Sequence, residues 1–336
     1  MRISPTNKPQ IFITMGDPAG IGPEVIMKTM ASPAIRRLAV FVIIADSGVI
    51  KKNPAGLSLE EVLFHPNDQE VTLDEERINV LDPGPELGEI TPGQPTDEGA
   101  RKALDCIDLA IRAAGDPENN TPKAIVTAPV CKEAIANIHP GFIGHTEYLQ
   151  NAFSSELVTM VMVGKTFSVV PVTRHIPLKE VPSVLSLDLI YETLKQVVEG
   201  RHIISGKEDP HISVTALNPH SGEGGRIGRE EIDLIRPAVD KARSLYGEMD
   251  GPVSADVVFY RAMHGKTDIV VGMYHDQCLA PFKMVEFDKG INMTLGLGCV
   301  RTSPDHGTAF DIAGKGIANH ASMEEAVKLA IRAVVV

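Results

Sequence analysis

Cysteine is scarce in this 336-residue chain. The four present, Cys106, Cys131, Cys278 and Cys299, lie too far apart for CxxC chemistry and are too few to staple a protein of this length. A disulfide scaffold is excluded, and reduced thiols in a cytoplasmic protein are the expectation. Positive charge is also in deficit: Lys and Arg total 32 against 44 Asp and Glu, and the formal net charge of −12 repels nucleic-acid backbones and anionic lipid. No apolar run approaches the ~20 residues that a membrane helix needs. Residues 1–10 carry Arg2, Lys8 and two prolines but no apolar stretch of signal-peptide length. Nucleic acid, membrane and export are therefore not expected. Internal repeats, low-complexity tracts and an interdomain linker are absent as well, which suggests a chain that crosses between two lobes more than once.

What is present is an ordinary globular composition, 43% hydrophobic and 23% charged, in a chain about twice the common domain size of roughly 150 residues. Short, β-branched apolar runs recur at residues 11–15, 40–45, 124–128, 158–163, 168–172, 212–217, 269–273 and 292–295. Their length suits buried strands. Between them lie helical patterns, the clearest over residues 96–114, where Ala100, Ala103, Leu104, Ile107, Ala110, Ile111 and Ala114 share one face. Thr96 is its expected N-cap and Gly115 its stop. A capping-box pattern at Ser322-Met323-Glu324-Glu325 predicts a last helix over residues 326–334. Residues 82–95 and 218–228, rich in Pro and Gly, read as loops. The alternation defines an α/β protein.

Common nucleotide and hydrolase signatures fail. Gly164-Lys165-Thr166 and Gly265-Lys266-Thr267 lack the leading glycine of a P-loop, having Thr159 and Tyr260 in its place, and neither GxSxG nor HExxH occurs. Gly20-Ile21-Gly22-Pro23-Glu24-Val25 has Val25 where a Rossmann fingerprint carries its third glycine. The longer segment Gly16-Asp17-Pro18-Ala19-Gly20-Ile21-Gly22-Pro23-Glu24 nevertheless follows a strand and opens a helix, an arrangement suited to an anion at backbone N–H groups and equally to a tight turn with no ligand. His175, His220 and His275 each come just after a predicted strand, where α/β sheets place ligands, and three imidazoles in one context suit a divalent metal such as Zn, Co, Ni or Fe. Hydrogen-bonded loop histidines are the plainer alternative. His145 and Thr146 stand at the start of a helical pattern, while Lys283, Asn292 and Arg301 are polar residues in apolar or glycine-rich surroundings. In an acidic protein these suggest an anionic ligand, with helix capping as the alternative for His145 and Thr146 and a structural ion pair for Lys283, Asn292 and Arg301. Asp256, at another helix start, suits an N-cap or first-turn charge as well as a catalytic group.

Six ordered segments resemble the 4-hydroxythreonine-4-phosphate dehydrogenase (PdxA) family, including its 4-phospho-D-threonate dehydrogenase branch. They are Met15-Gly16-Asp17-Pro18-Ala19-Gly20-Ile21-Gly22-Pro23-Glu24, Gly144-His145-Thr146-Glu147, Thr173-Arg174-His175-Ile176-Pro177, Leu217-Asn218-Pro219-His220, Tyr274-His275-Asp276-Gln277 and Arg301-Thr302-Ser303-Pro304-Asp305-His306-Gly307-Thr308. The resemblance implies a homodimer of isocitrate/isopropylmalate-dehydrogenase-like α/β fold, with two α/β/α lobes and the active site in the cleft between them. Residues 1–135 with 295–336 would form one lobe and residues 136–294 the other. It further implies His175, His220 and His275 as ligands to one divalent metal per subunit, one of them contributed across the dimer; zinc is expected, with Mg, Mn, Co or Ni as alternatives. His145, Thr146, Lys283, Asn292 and Arg301 would hold a phosphorylated substrate. Cys278 stands where the resemblance leads one to expect glycine.

The stretch from His306 to Asn319 is also similar to the adenosine loop of isopropylmalate dehydrogenase, so Gly20, Gly22, His306, Gly307, Thr308, Asp311 and Asn319 are the expected cofactor residues. Asp311 can accept ribose hydroxyls but would repel a 2′-phosphate, which favours NAD over NADP. The implied activity is oxidation, with decarboxylation, of a phosphorylated 3-hydroxy acid, either 4-phosphohydroxy-L-threonine or 4-phospho-D-threonate. Lys283 and Asp256 are the candidates for proton transfer. A cis-dihydrodiol dehydrogenase of the same fold and a non-redox metal hydrolase are the rival activities.

Overall fold

The computed structural model describes residues 2–53, 55–65, 70–287 and 290–335. The chain divides into two compact units, Met1–Glu156 with Leu297–Val336, and Leu157–Gly296. The first unit is therefore discontinuous. Residues 136–156, assigned to the second lobe from sequence, cluster with the first. The helix His145–Ala152 is tied there by Leu149, which is buried, and by Tyr148, whose hydroxyl donates to Asp108 at 2.7 Å.

In the first unit the strands lie in the order Val300–Pro304, Lys123–Thr127, Gln10–Thr14, Val40–Ile44, Ile78–Leu81, Val62–His65, and adjacent pairs run parallel. Gln10–Thr14 and Val40–Ile44 are buried at every position, as apolar runs at the centre of a parallel sheet should be. Asp97–Ala114 and Ala321–Val335 pack on this sheet. Thr96 caps the former, its hydroxyl accepting from the Gly99 N–H at 3.1 Å, and the helix stops at Gly115 as its sequence predicts. The last helix begins about a turn earlier than the capping-box pattern implied. Asn319 supplies the cap, its Oδ1 accepting from the Ala321 N–H at 2.9 Å, while Ser322 Oγ is turned to the Asp305 N–H.

In the second unit the order is Asp250–Val253, Ile212–Thr215, Ile269–Gly272, Ser168–Pro171, Thr159–Val163, Ile291–Leu295. The first four run parallel, and the last two join antiparallel. Leu187–Ser205 is capped by Ser186 and ends at Gly206 in the left-handed conformation (φ 69°). A core of Met160, Met162, Phe167, Val169, Val270, Cys278 and Phe282 lies beneath the helix His275–Glu286. Cys278 is fully buried against Gly272, and burial pushes its thiol up to about 12, so it is inert packing rather than a reactive neighbour of His275.

Candidate active site

The three histidines occupy the ends of three neighbouring strands in the second unit. Ser168–Pro171 leads to His175, Ile212–Thr215 to His220, and Ile269–Gly272 to His275, the first residue of its helix. The rings of His175 and His275 are neighbours, tilted at 47° with centroids 5.5 Å apart. His275 Nδ1 lies 2.7 Å from Asp276 Oδ1, and His220 Nδ1 lies 2.8 Å from Glu223 Oε1. A carboxylate on Nδ1 makes that nitrogen the proton carrier and leaves Nε2 as the ligating lone pair, the usual outer-shell arrangement of metal-binding imidazole. The Glu223 hydrogen bond and charge also raise the pKa of His220. These donors suit a divalent ion. Among the described residues, however, no three His, Cys, Asp or Glu side chains of one chain stand close enough together to hold one. His220 lines a separate cavity of about 660 Å³ with Asp256, Tyr274, Gln277 and Phe259. Lys283 is not among the residues lining that cavity; its Nζ lies 5.6 Å from the centre of the Phe287 ring.

Two side chains that the sequence reading missed build this region. Gln277 spans two strand ends: its Oε1 accepts from the Met273 N–H at 2.6 Å and the Thr215 hydroxyl at 2.9 Å, and its Nε2 donates to the Ala216 carbonyl at 2.8 Å. Glu231, 1% exposed, accepts from the Leu217 and Asn218 N–H groups at 2.9 and 2.7 Å and from Asn218 Nδ2 at 3.0 Å. It thereby holds the loop in which every residue from His220 to Gly225 has positive φ. The adjacency of Gln277 to the histidine motif was the available signal for the first. Nothing local distinguished Glu231 from Glu230.

The first unit carries a different chemistry. Arg301, 4% exposed on a buried strand, donates from Nε and Nη2 to Thr127 Oγ1 at 3.1 and 2.6 Å. Burial lowers its pKa to about 10, still far enough above neutrality to keep it charged. His145, opening the helix His145–Ala152, has its Nε2 buried without a partner among the described residues. Burial, then the charges of Arg301 and Lys132, hold its pKa well below the ordinary histidine range, so it is a neutral hydrogen-bonding group. Lys132 is an addition to the predicted set: its Nζ lies 3.5 Å from the position a Cβ on Gly144 would take. Thr146 follows on the same helix turn. A buried guanidinium, an exposed lysine and a neutral imidazole at a helix start favour an anion, with the Glu147 carboxylate, whose Oε2 lies 3.2 Å from the same Gly144 Cβ position, offsetting part of that positive charge. Asn292 is placed in the second unit on Ile291–Leu295, its Oδ1 buried with no partner among the described residues.

In the glycine-rich segment four N–H groups are bound to protein acceptors. The N–H of Asp17 donates to Pro129 O at 2.9 Å, that of Ala19 to Asp17 Oδ1 at 2.9 Å, that of Gly20 to Asp17 O at 3.1 Å and that of Ile21 to Thr308 O at 3.0 Å. Gly20 and Gly22 are glycines because other backbone lies against them: an added Cβ would meet Thr308 O at 3.0 Å and Met15 O at 2.3 Å, respectively. His306, Gly307, Thr308 and Asp311 lie in the loop that packs on this segment, with Asp311 exposed. Asn319 spends its Oδ1 on the helix cap described above.

Two α/β units, one on a parallel and one on a mixed sheet, with histidines past the strand ends of the second, have the fold of an α/β dehydrogenase. The family model "Pyridoxal phosphate biosynthetic protein PdxA" matches residues 37–330. The chain is 40% identical over 330 residues to the 4-hydroxythreonine-4-phosphate dehydrogenase of Desulfosudis oleivorans, with 96% of each chain covered. It is 38% identical to that of Geobacter metallireducens, with 97% of this chain and 96% of the relative covered. Among solved structures, the 4-hydroxythreonine-4-phosphate dehydrogenase of Klebsiella pneumoniae superposes with TM-score 0.79 at 34% identity, covering 97% of this chain and all of the other. A terephthalate 1,2-cis-dihydrodiol dehydrogenase of Burkholderia xenovorans gives 0.70 at 25%, covering 97% and 98%. The chain belongs to the PdxA family and is an oxidoreductase.

Proposed function

We propose that this protein oxidises 4-phosphohydroxy-L-threonine or its close analogue 4-phospho-D-threonate, using NAD and a divalent metal. The observation that supports a phosphorylated substrate is the seat around Arg301 and His145, with Lys132 nearby, which calls for an anionic group on the substrate. The reaction removes a hydride and a proton from the C3 alcohol, reducing NAD to NADH, and the β-keto acid then loses CO2. The metal and the nicotinamide, when bound, supply the positive charge that acidifies the alcohol and the hydride acceptor. Within the chain, His175, His220 and His275 present imidazole to the metal. Arg301, His145, Thr146, Lys283 and Asn292 orient the substrate, and Asp256 or Lys283 receives the hydroxyl proton. Zinc is the proposed ion, on the donor chemistry, with Mg, Mn, Co and Ni as alternatives.

The cofactor is NAD because Asp311, exposed in the 305–319 loop, presents a carboxylate that suits ribose hydroxyls and opposes a 2′-phosphate. Two identical chains are proposed to complete the metal site, His220 of one joining the His175–His275 pair of the other. Support comes from the second unit, where Tyr260 is 65% exposed, Met284 88% and Phe287 71%, an apolar surface that a second copy would cover.

The test is NADH formation by metal-reconstituted protein, with the two phosphorylated acids side by side, each repeated with chelator and with NADP. Turnover with either acid, lost with chelator and weaker with NADP, supports the reading; preference for the amine or the hydroxyl analogue fixes the substrate. A kcat/KM for NADP at or above that for NAD would overturn the cofactor assignment. Turnover of an aromatic cis-dihydrodiol alone would overturn the substrate class.

A further inference from the structure

Four N–H groups of the glycine-rich segment in the first unit are taken by protein acceptors, and the helix that follows makes an unusual set of bonds 290 or so residues away. Glu24, 7% exposed, lies in the first turn of Gly22–Met30, and Lys28 one turn later. Glu24 Oε1 accepts from the Ala318 N–H at 2.9 Å. Lys28 Nζ donates to Glu24 Oε1 at 2.7 Å, to Gly316 O at 2.9 Å and to Ala318 O at 2.9 Å. At the other end of the same loop, Thr308 O accepts from the Ile21 N–H at 3.0 Å, with Gly20 beneath it. A third contact lies between: Gly93 N–H donates to Ala19 O at 2.8 Å, and its Cβ position is filled by Phe310 O. The loop thus has no regular ladder of its own and is held at both ends by one short helix and the residue before it.

The structure assigns Glu24 and Lys28 a positioning role: they clamp the 305–319 loop in the shape that presents Asp311 and its neighbours to the adenosine half of the dinucleotide. The inference rests on the NAD reading of that loop. Neither residue touches the cofactor; each acts through the loop backbone. Lys28 is the more informative of the two. It saturates two carbonyls that would otherwise need water and neutralises a carboxylate removed from solvent, and charge-assisted bonds of this kind are stronger than neutral ones. Without them, the loop would sample other shapes, and the dinucleotide would have to order it on binding. The cost would then fall on cofactor affinity.

The experiment compares full-length wild type, Lys28→Met and Glu24→Gln by NADH binding (fluorescence titration), by amide hydrogen exchange across residues 305–320, and by steady-state kinetics. Lys28→Met is expected to weaken NADH roughly tenfold and to speed exchange in that segment. The kinetic loss should appear in KM for the dinucleotide rather than in kcat. Glu24→Gln keeps the acceptor for Ala318 and should fall between. A role confined to general stability would instead lower the melting temperature and the active fraction with exchange in the loop unchanged, and that result overturns the clamp. So does a Lys28→Met protein with wild-type loop protection and wild-type NADH affinity. Should Glu24→Gln fail to fold, Lys28→Met decides alone, since Lys28 is part-exposed. Should wild type itself bind no NADH, the NAD reading fails while loop exchange in Lys28→Met still confirms or overturns the clamp.

Discussion

Two glycine-rich loops follow strands in this chain, one in each unit, and they have opposite fates. Residues 16–24 are almost wholly buried, with the N–H groups of Asp17, Ala19, Gly20 and Ile21 all taken by protein acceptors. Residues 218–228 are largely exposed, run through the left-handed region from His220 to Gly225, and end in a histidine-bearing surface held from below by Glu231. Glycine serves close approach in the first and backbone direction in the second. Composition does not tell them apart; the neighbours that reach them do. Amides already bound to protein acceptors serve the packing of the first loop, whereas side chains that face outward in the second can carry chemistry.

The sharpest way to break this contrast is His220→Ala. With its ring 73% exposed, the change should leave the melting temperature near wild type while lowering metal-dependent turnover by more than about 100-fold. A fully active variant would remove His220 from the metal assignment. Next comes Gly22→Ala, where a Cβ would lie 2.3 Å from Met15 O. The backbone has to shift, and denaturant melts should show a loss of about 3 kcal/mol. Gly224→Ala in the exposed loop meets nothing within 4 Å and carries only its φ of 67°. The loss there should be about 1 kcal/mol or less, so equal losses at Gly22 and Gly224 would erase the distinction.

A smaller effect concerns pH. The folded protein depresses the pKa of His145 below its ordinary 6.5. Below that pH the unfolded chain takes up a proton that the folded site resists, so stability present above 6.5 declines as pH falls. His145→Gln should therefore flatten the acid limb of a stability-against-pH curve measured between pH 7 and 5. An unchanged slope would place His145 in contact with solvent.

Eight strands and the helix Asp97–Ala114 were legible because burial on both faces writes itself as β-branched runs and because Thr96 and Gly115 punctuate the helix. Four longer strands were not. Asp250–Val253 is a half-buried edge containing Gly251-Pro252, and Val62–His65 is a half-buried edge strand. Ile78–Leu81 includes Asn79, whose amide is paid in hydrogen bonds to Phe41 O and Asp74 O. Val300–Pro304 reads as polar yet is buried, because Thr127 pairs with Arg301. The first two were masked by their edge positions, the last two by polar side chains whose partners include Phe41 and Thr127, distant in sequence.

By itself, then, the sequence determined the α/β class, the ordered motifs of the PdxA family and the candidate histidines, since these depend on residue type and local spacing. Only the tertiary structure decided that residues 136–156 join the first unit, that Lys132 stands beside Gly144, that Gln277 and Glu231 support the histidine-bearing strand ends, and that residues 16–24 serve as a socket for the 305–319 loop. The physical reason is the same in each case. A hydrogen-bond donor or a charge takes its role from the acceptor it finds, and in these cases the acceptor lies tens to hundreds of residues away or is chosen by how helices pack, which no local pattern encodes.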